Sequence, residues 1–413
     1  MWRRLRNFAL MVVHNYKISQ HYQVKTFIIP TVRQDNGIII CRATRRTMSY
    51  GLLWPNQNQD LNPGKSYVIK TTLFAIATVI TIAIMLINQQ NLAEYHNWNV
   101  QDDIALMVSY TGSSYMASIY VKNQGKIALL LRDLSNFKRF GMPPNFKKQD
   151  KFLNLLSNIT VVYCVFTVSL YNLVRLYQKP ECEKLNIEKH LEENCGILFR
   201  IWAPFKIDYF PVYQLVLLYA FTASIFVSRS ALMITFQVFE ISQHIIQRIR
   251  HLNSMIVECF DDPDYEVCHK KLLKCILYHT DIIELATRFD SYFSSCMFGH
   301  FTMTGLVSAA LEKQFIEGDR LCAGFHLMGW VFALLLGCVA GQLLTDASES
   351  TSEAIWNSKW YQADARLRKD ILFLLTRSHK KFFITVGSFG ILSLDLFVKV
   401  LKMSYSILCM LTS

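Results

Sequence analysis

Asp395, Lys399 and Lys402 stand four and three residues apart in an otherwise apolar C-terminal stretch. At that spacing Asp395 and Lys399 share a helix face and can pair, with Lys402 on the same side. Charges at membrane depth are costly and face a bundle interior or an aqueous path. The trio is therefore either a structural ion pair or one wall of a water-filled conduit. A second group is apolar and aromatic with a few hydroxyls: Met107, Tyr110, Thr111, Tyr171, Tyr213, Phe221, Phe325 and Met328. All fall in the outer parts of predicted spans. Walls of that composition suit a pocket for a small, mostly uncharged organic molecule, and equally suit plain aromatic packing between helices.

Catalytic chemistry has no visible seat. The chain carries no GxxxxGK[ST], HExxH, GxSxG or paired CxxC, and no cofactor or metal set is expected. Cys182 and Cys195 share one outer loop, where compartment permits a disulfide but spacing does not establish one. Several of the other cysteines fall within spans and act as small buried hydrophobes. His244 and His251, seven apart on one predicted helix, read as a solvated face rather than a metal site. The sequon Asn158–Thr160 lies inside the third span, where glycosylation is not expected. Gly337 and Gly341 form a small-xxx-small pair suited to close helix packing.

These residues need long apolar elements to position them. Of 413 residues, 52% are hydrophobic and 18% charged, with mean hydropathy +0.22; soluble domains average about 45–50% apolar and about 25% charged. That balance points to a polytopic membrane protein. Seven stretches reach the roughly 20 helical residues a bilayer requires: Tyr67–Asn88, Asp103–Val121, Phe152–Tyr177, Pro211–Phe236, Ser291–Leu311, Gly324–Leu344 and Phe383–Leu411. The fold class expected is all-α, a seven-transmembrane helix bundle.

Lys and Arg placement orients it. With the N-terminus cytoplasmic, about 31 of the 43 Lys and Arg lie on the inner side and roughly 7 outside. The net charge of +12 is thus assigned to a membrane and not to nucleic acid. The resulting map has a cytoplasmic region 1–66, with 1–46 basic and atypical. Spans one to four occupy 67–236, including the outer loop 178–210. A cytoplasmic helical loop fills 237–290, spans five and six 291–344, a cytoplasmic helical segment 345–382, and the last helix 383–413. Within 237–290, Val238, Ile241, Ile245, Ile249, Leu252 and Ile256 recur at helical steps, as do Leu272, Cys275, Ile276, His279, Ile283, Ala286 and Phe289. They read as amphipathic helices broken at Pro263, either separate or as extensions of spans four and five.

The run from Cys338 through Gly341, Ala354 and Asn357 to Trp360–Tyr361 resembles insect odorant receptors. So do Arg366–Lys369 and the closing segment Ser393–Ser406. Looser matches are Gly51–Pro55, Trp202–Phe205 with Pro211 and Tyr213, and Cys275–His279. The resemblance implies a heterotetrameric, odorant-gated, non-selective cation channel in the plasma membrane of sensory dendrites. Its partners would be a shared odorant receptor coreceptor, a volatile small-molecule ligand and membrane lipid. The last helix would line the pore, the ligand would sit in the outer half of the bundle, and cytoplasmic helices would anchor the subunits together.

Matching the ends of the last helix puts Leu408 and Thr412 at the narrow outer gate, with Asp395 on the same pore-lining element. Leu408 suits a constriction that closes by dewetting; Thr412 departs from the family's apolar residue there. The loop between spans four and five is much shorter than the coreceptor's, so the chain resembles a ligand-tuning subunit. Gustatory receptors, the sister family, end the last helix on a different motif from Ser404–Leu411. A G-protein-coupled receptor would need the opposite orientation, an Asp-Arg-Tyr after span three and an Asn-Pro-x-x-Tyr in span seven.

Overall fold

Inside a bilayer, backbone N–H and C=O groups find no water, so an apolar stretch must satisfy them within itself and becomes a helix. The computed structural model describes residues 37–55, 64–92, 100–189, 194–199, 207–262, 264–318 and 320–412. Among these residues the helices are α1 (Arg42–Tyr50), α2 (Lys65–Leu92), α3 (Val100–Leu134), α4 (Phe146–Tyr177) and α5 (Lys179–Lys189). Beyond them run α6 (Val212–Val257), α7 (Tyr265–Glu317), α8 (Arg320–Asn357), α9 (Ala365–Ser378) and α10 (Leu394–Thr412). Ile38–Ser413 form one compact unit.

Among the described residues four helices are long and apolar enough to cross a membrane: α2, α4, α6 and α8. The other three expected spans, α3, α7 and α10, belong to the same bundle but are more polar. Ser109 to Tyr115 dilute α3, and Asp395, Lys399 and Lys402 load α10 with charge. Several helices overrun the membrane. The 53 residues of α7 span about 80 Å at 1.5 Å per residue, against a hydrocarbon core of about 30 Å.

That overrun settles the form of segment 237–290. It holds no independent helices: α6 continues unbroken to Val257, and α7 starts at Tyr265. A 3-10 turn at Glu258–Phe260 separates them, and Asp264 caps α7 by accepting from the Glu266 N–H at 2.9 Å. Pro263 lies outside the described residues. The apolar repeats are real, and their faces are core: Ile241, Ile245, Ile249, Leu252, Leu272, Cys275 and Phe289 are all buried.

Two boundaries differ from expectation. The last helix begins at Leu394, not Phe383, because the residues before it form a hairpin. Val386 N–H donates to Gly390 O and Leu392 N–H to Ile384 O, each at 2.8 Å. The hairpin turns through Gly387 and Gly390, at φ +52° and +119°, a region open to glycine. Asp290 of α7 clips it by accepting from the Thr385 N–H at 2.6 Å and hydroxyl at 2.8 Å. Ser393 Oγ then accepts from Leu396 N–H and starts the helix.

The atypical N-terminal stretch likewise stops short of residue 46. Ile40, Cys41, Ala43 and Arg45 are buried, Ala43 N–H donates to Asn154 Oδ1 at 2.7 Å, and Arg45 Nη2 donates to Ile38 O at 2.7 Å. Residues 38–46 are therefore part of the core, while 1–36 lie outside the described residues.

Buried apolar residues gather into one large cluster and two smaller ones. The large cluster runs through α1, α3, α4, α6, α7, α8, α9 and α10. The smaller two lie toward the other end: one around Tyr110, Tyr171, Phe199 and Ala220, one around Ala105, Val307, Leu311 and Trp330. Helix α2 is mostly exposed, as a helix facing lipid must be.

Candidate ligand site

A cavity of about 100 Å³ opens where the three apolar clusters meet. Four helices each offer it one stripe at three- and four-residue steps. These are Leu106, Ser109, Tyr110 and Ser113 of α3; Tyr163, Cys164, Thr167, Val168 and Tyr171 of α4; Ser224, Val227, Ser228, Ala231 and Leu232 of α6; and Phe325, His326, Gly329, Trp330 and Ala333 of α8. His300 of α7 and Leu198 of the outer loop complete the wall. Aromatic rings and aliphatic chains supply most of the surface, and hydroxyls and two imidazoles interrupt it.

Most of the polar lining is already engaged. Ser224 donates to Ala220 O at 2.7 Å, so the Tyr110 hydroxyl, 2.6 Å from Ser224 Oγ, acts as donor to it. Tyr163 donates to Phe325 O at 2.7 Å, and Tyr171 OH accepts from Gln314 Nε2 at 3.3 Å. Trp330 stacks on His300 with centroids 5.5 Å apart and donates its indole N–H to His326 Nε2 at 3.2 Å. Tyr171 meets His326 edge to face at 6.0 Å. Aromatic pairs in this geometry hold their partners' orientation beyond simple area burial, so the wall is ordered without an occupant.

Tyr110, Tyr171 and Phe325, named from the sequence, line this cavity. The other five do not. Met107 packs against the cluster beside the cavity, and exposed Thr111 donates to Met107 O. Both are rotated about 100° from their lining neighbours, one residue away in sequence. Tyr213 donates to Cys195 O at 3.3 Å and lies under the Lys179 ammonium at 3.9 Å, holding the outer loop. Phe221 is half-buried and Met328 is largely exposed. The residues the sequence reading passed over, above all Tyr163, Thr167, His326 and Trp330, carry a signal in their spacing: 163/167/171 and 326/330 repeat on single helix faces.

The outer loop is closed covalently. Cys182 and Cys195 form a disulfide with Cα atoms 5.7 Å apart, tying α5 to the segment 194–199 of the loop. In the large cluster, His244 is buried against the Phe146 ring and 4.0 Å from Asp150, so the expected solvated face is core instead. No three His, Cys, Asp or Glu side chains among the described residues gather as metal ligands.

At the last helix, Leu396, Val400 and Ser404 form the buried face of α10, and Ser404 donates to Glu312 Oε1 of α7 at 3.1 Å. Asp395 and Lys399 pair at 2.6 Å on the opposite, exposed side, where Lys402 is exposed too. Leu408 is half-buried and Thr412 exposed, its hydroxyl donating to Leu408 O at 3.0 Å. On a straight helix Asp395 and Leu408 lie about 140° apart, so the ion pair and Leu408 occupy different faces.

The chain matches the 7tm Odorant receptor family over residues 145–405. Among individual proteins it is 24% identical to Odorant receptor Or1 of Anopheles gambiae over 36% of this chain and 37% of that one. It is 26% identical to Odorant receptor 85b of Drosophila melanogaster over 36% and 39%. The alignment thus spans less than half the length of those relatives. With Drosophila Odorant receptor 67c the identity is 21% over 86% of this chain and 90% of the other. In three dimensions it resembles the insect olfactory receptor OR5 of Machilis hrabei, solved in complex with eugenol, at TM-score 0.68 and 16% identity, covering 90% and 95% of the two chains. Motif order, helix bundle and family match agree: this chain belongs to the 7tm odorant receptor family.

Proposed function

We propose that this chain is a ligand-tuning subunit of an odorant-gated, non-selective cation channel that works with an odorant receptor coreceptor in the plasma membrane. The observation that carries the reading is the aromatic, hydroxyl-dotted cavity among α3, α4, α6 and α8. It is small, mostly apolar and ordered by its own ring contacts, as a site for a compact volatile must be. Eugenol, the molecule held by the Machilis hrabei receptor, is of that class.

Two independent features support an orientation. Lys and Arg crowd the loops on the N-terminal side, and the Cys182–Cys195 disulfide belongs to the oxidising, extracellular side. Together they support a reading with the N-terminus inside and the cavity in the outer half. Binding drives opening only to the extent that the ligand prefers the open state. The route to the gate is short: α7 supplies His300 to the cavity wall and, a few turns on, grips α10 through Glu312 and Ser404. In the assembled channel the exposed Asp395–Lys399 face meets neighbouring subunits or the pore, and Leu408 with Thr412 forms this chain's part of the outer gate.

The test is the dose–response of Tyr110→Ala, Tyr171→Ala and Phe325→Ala, co-expressed with a coreceptor and normalised to surface protein. The half-maximal concentration shifts about ten-fold or more at each lining position, while Met107→Ala and Met328→Ala, off the cavity, shift it little. Unchanged curves at all three lining positions would refute the pocket.

A further inference from the structure

Resting on the ligand-site reading above, the cavity's hydrogen-bonding inventory specifies what its ligand must carry. Trp330 Nε1–H can only donate, and it donates to His326 Nε2 at 3.2 Å. Nε2 is therefore an acceptor, which places the imidazole in its neutral form with the proton on Nδ1. His326 lines the cavity, and its Nδ1 is buried with no hydrogen-bond partner. Among the lining residues described, Thr167 Oγ1 is the other buried polar atom without one.

Three of the other lining hydroxyls are committed elsewhere. Ser224 and Tyr110 form a relay ending at Ala220 O, and Tyr163 is spent on Phe325 O. A buried N–H left unmade is unfavourable. The geometry points to a compact, largely apolar ligand carrying one hydrogen-bond acceptor, a carbonyl, ester or ether oxygen, that takes the His326 Nδ1–H. A hydrocarbon of the same shape fills the cavity but leaves that donor unpaired.

Two molecules of equal shape separate these cases: acetophenone, whose carbonyl accepts, and α-methylstyrene, whose methylene cannot. The full chain, reconstituted in lipid nanodiscs, is titrated with each, and binding is read as thermal stabilisation. Acetophenone binds about ten-fold more tightly, the ratio a net buried hydrogen bond supplies. In His326→Leu that ratio collapses toward one. In His326→Gln, whose amide both accepts from Trp330 and donates, most of it is kept. Equal affinities in the unaltered chain, a preference that survives His326→Leu, or no binding of either molecule would each overturn the assignment, and the first and third need no variant to fold. Selective binding with no ligand-evoked current would sink the channel reading and leave this one standing. Currents evoked equally by both molecules would do the reverse.

Discussion

At the residue scale the clearest contrast is between two glycines one helical turn apart on α8. A Cβ on Gly341 would fall on the carbonyl carbon and oxygen of Leu392. That backbone is fixed by Leu392 N–H donating to Ile384 O and cannot yield. A Cβ on Gly337 would meet Thr235 Cγ2 at 3.6 Å and Leu392 Cδ2 at 3.8 Å, which is ordinary contact. Gly341→Ala is therefore expected to destabilise by roughly 1–3 kcal/mol or more and to lower surface expression. Gly337→Ala stays near the unaltered protein. Thermal midpoints of the two purified variants check this; equal midpoints would contradict it. The small-xxx-small pattern announced close packing, but not that the partner is a hairpin rather than a helix. Of the eight residues named from the sequence, Tyr110, Tyr171 and Phe325 line the cavity and the other five do not. Composition locates aromatics in a span, whereas lining depends on helical phase, and a one-residue error turns Tyr110 into Thr111 on another face.

At the element scale, helices longer than a membrane must be tied together beyond it. Arg248 of α6, only 2% exposed, does this for the end of α3. Its Nη2 donates to Asp133 O at 3.2 Å, Leu134 O at 2.9 Å and Asn136 O at 3.1 Å, carbonyls at and just beyond the end of the helix, where intrahelical partners run out. The guanidinium also stands over the Phe137 ring at 5.2 Å. Its ion pair with Asp281 is longer, 3.7 Å, and burial outweighs Arg248's charge in holding the Asp281 carboxyl above the usual carboxylate range. The carbonyl cap is thus the larger contribution. Arg248→Met strands a set of buried acceptors and is expected to cost about 3–5 kcal/mol, seen as loss of folded protein in detergent. Arg248→Lys restores only part, because one ammonium cannot match a planar fork. Full recovery with Lys would contradict the capping role. The helical repeats of 237–290 were legible, and so was the face they bury. Their continuity with α6 and α7 was not, since an amphipathic pattern is the same whether a helix is separate or extended. The late start of α10 was hidden for a related reason: residues 383–393 are as apolar as a helix, and only Gly387, Gly390 and Ser393 mark the hairpin.

At the scale of the whole molecule, hydropathy and charge placement carried the seven-helix reading, and the family motifs carried the rest. The match over residues 145–405 and the Machilis hrabei fold agree with both. Among the described residues four helices are long and apolar enough to cross a membrane, while polar residues in α3 and α7 and the charges of α10 set those three apart.

The measurement that bears most directly on this account is whole-cell current in cells expressing the chain with and without an insect odorant receptor coreceptor, across a broad panel of compact volatiles. The account predicts a fast, ligand-dependent cation current only when both subunits are present. Ligand-evoked current from this chain that runs through a G protein, or silence across the panel with both proteins at the surface, would contradict it.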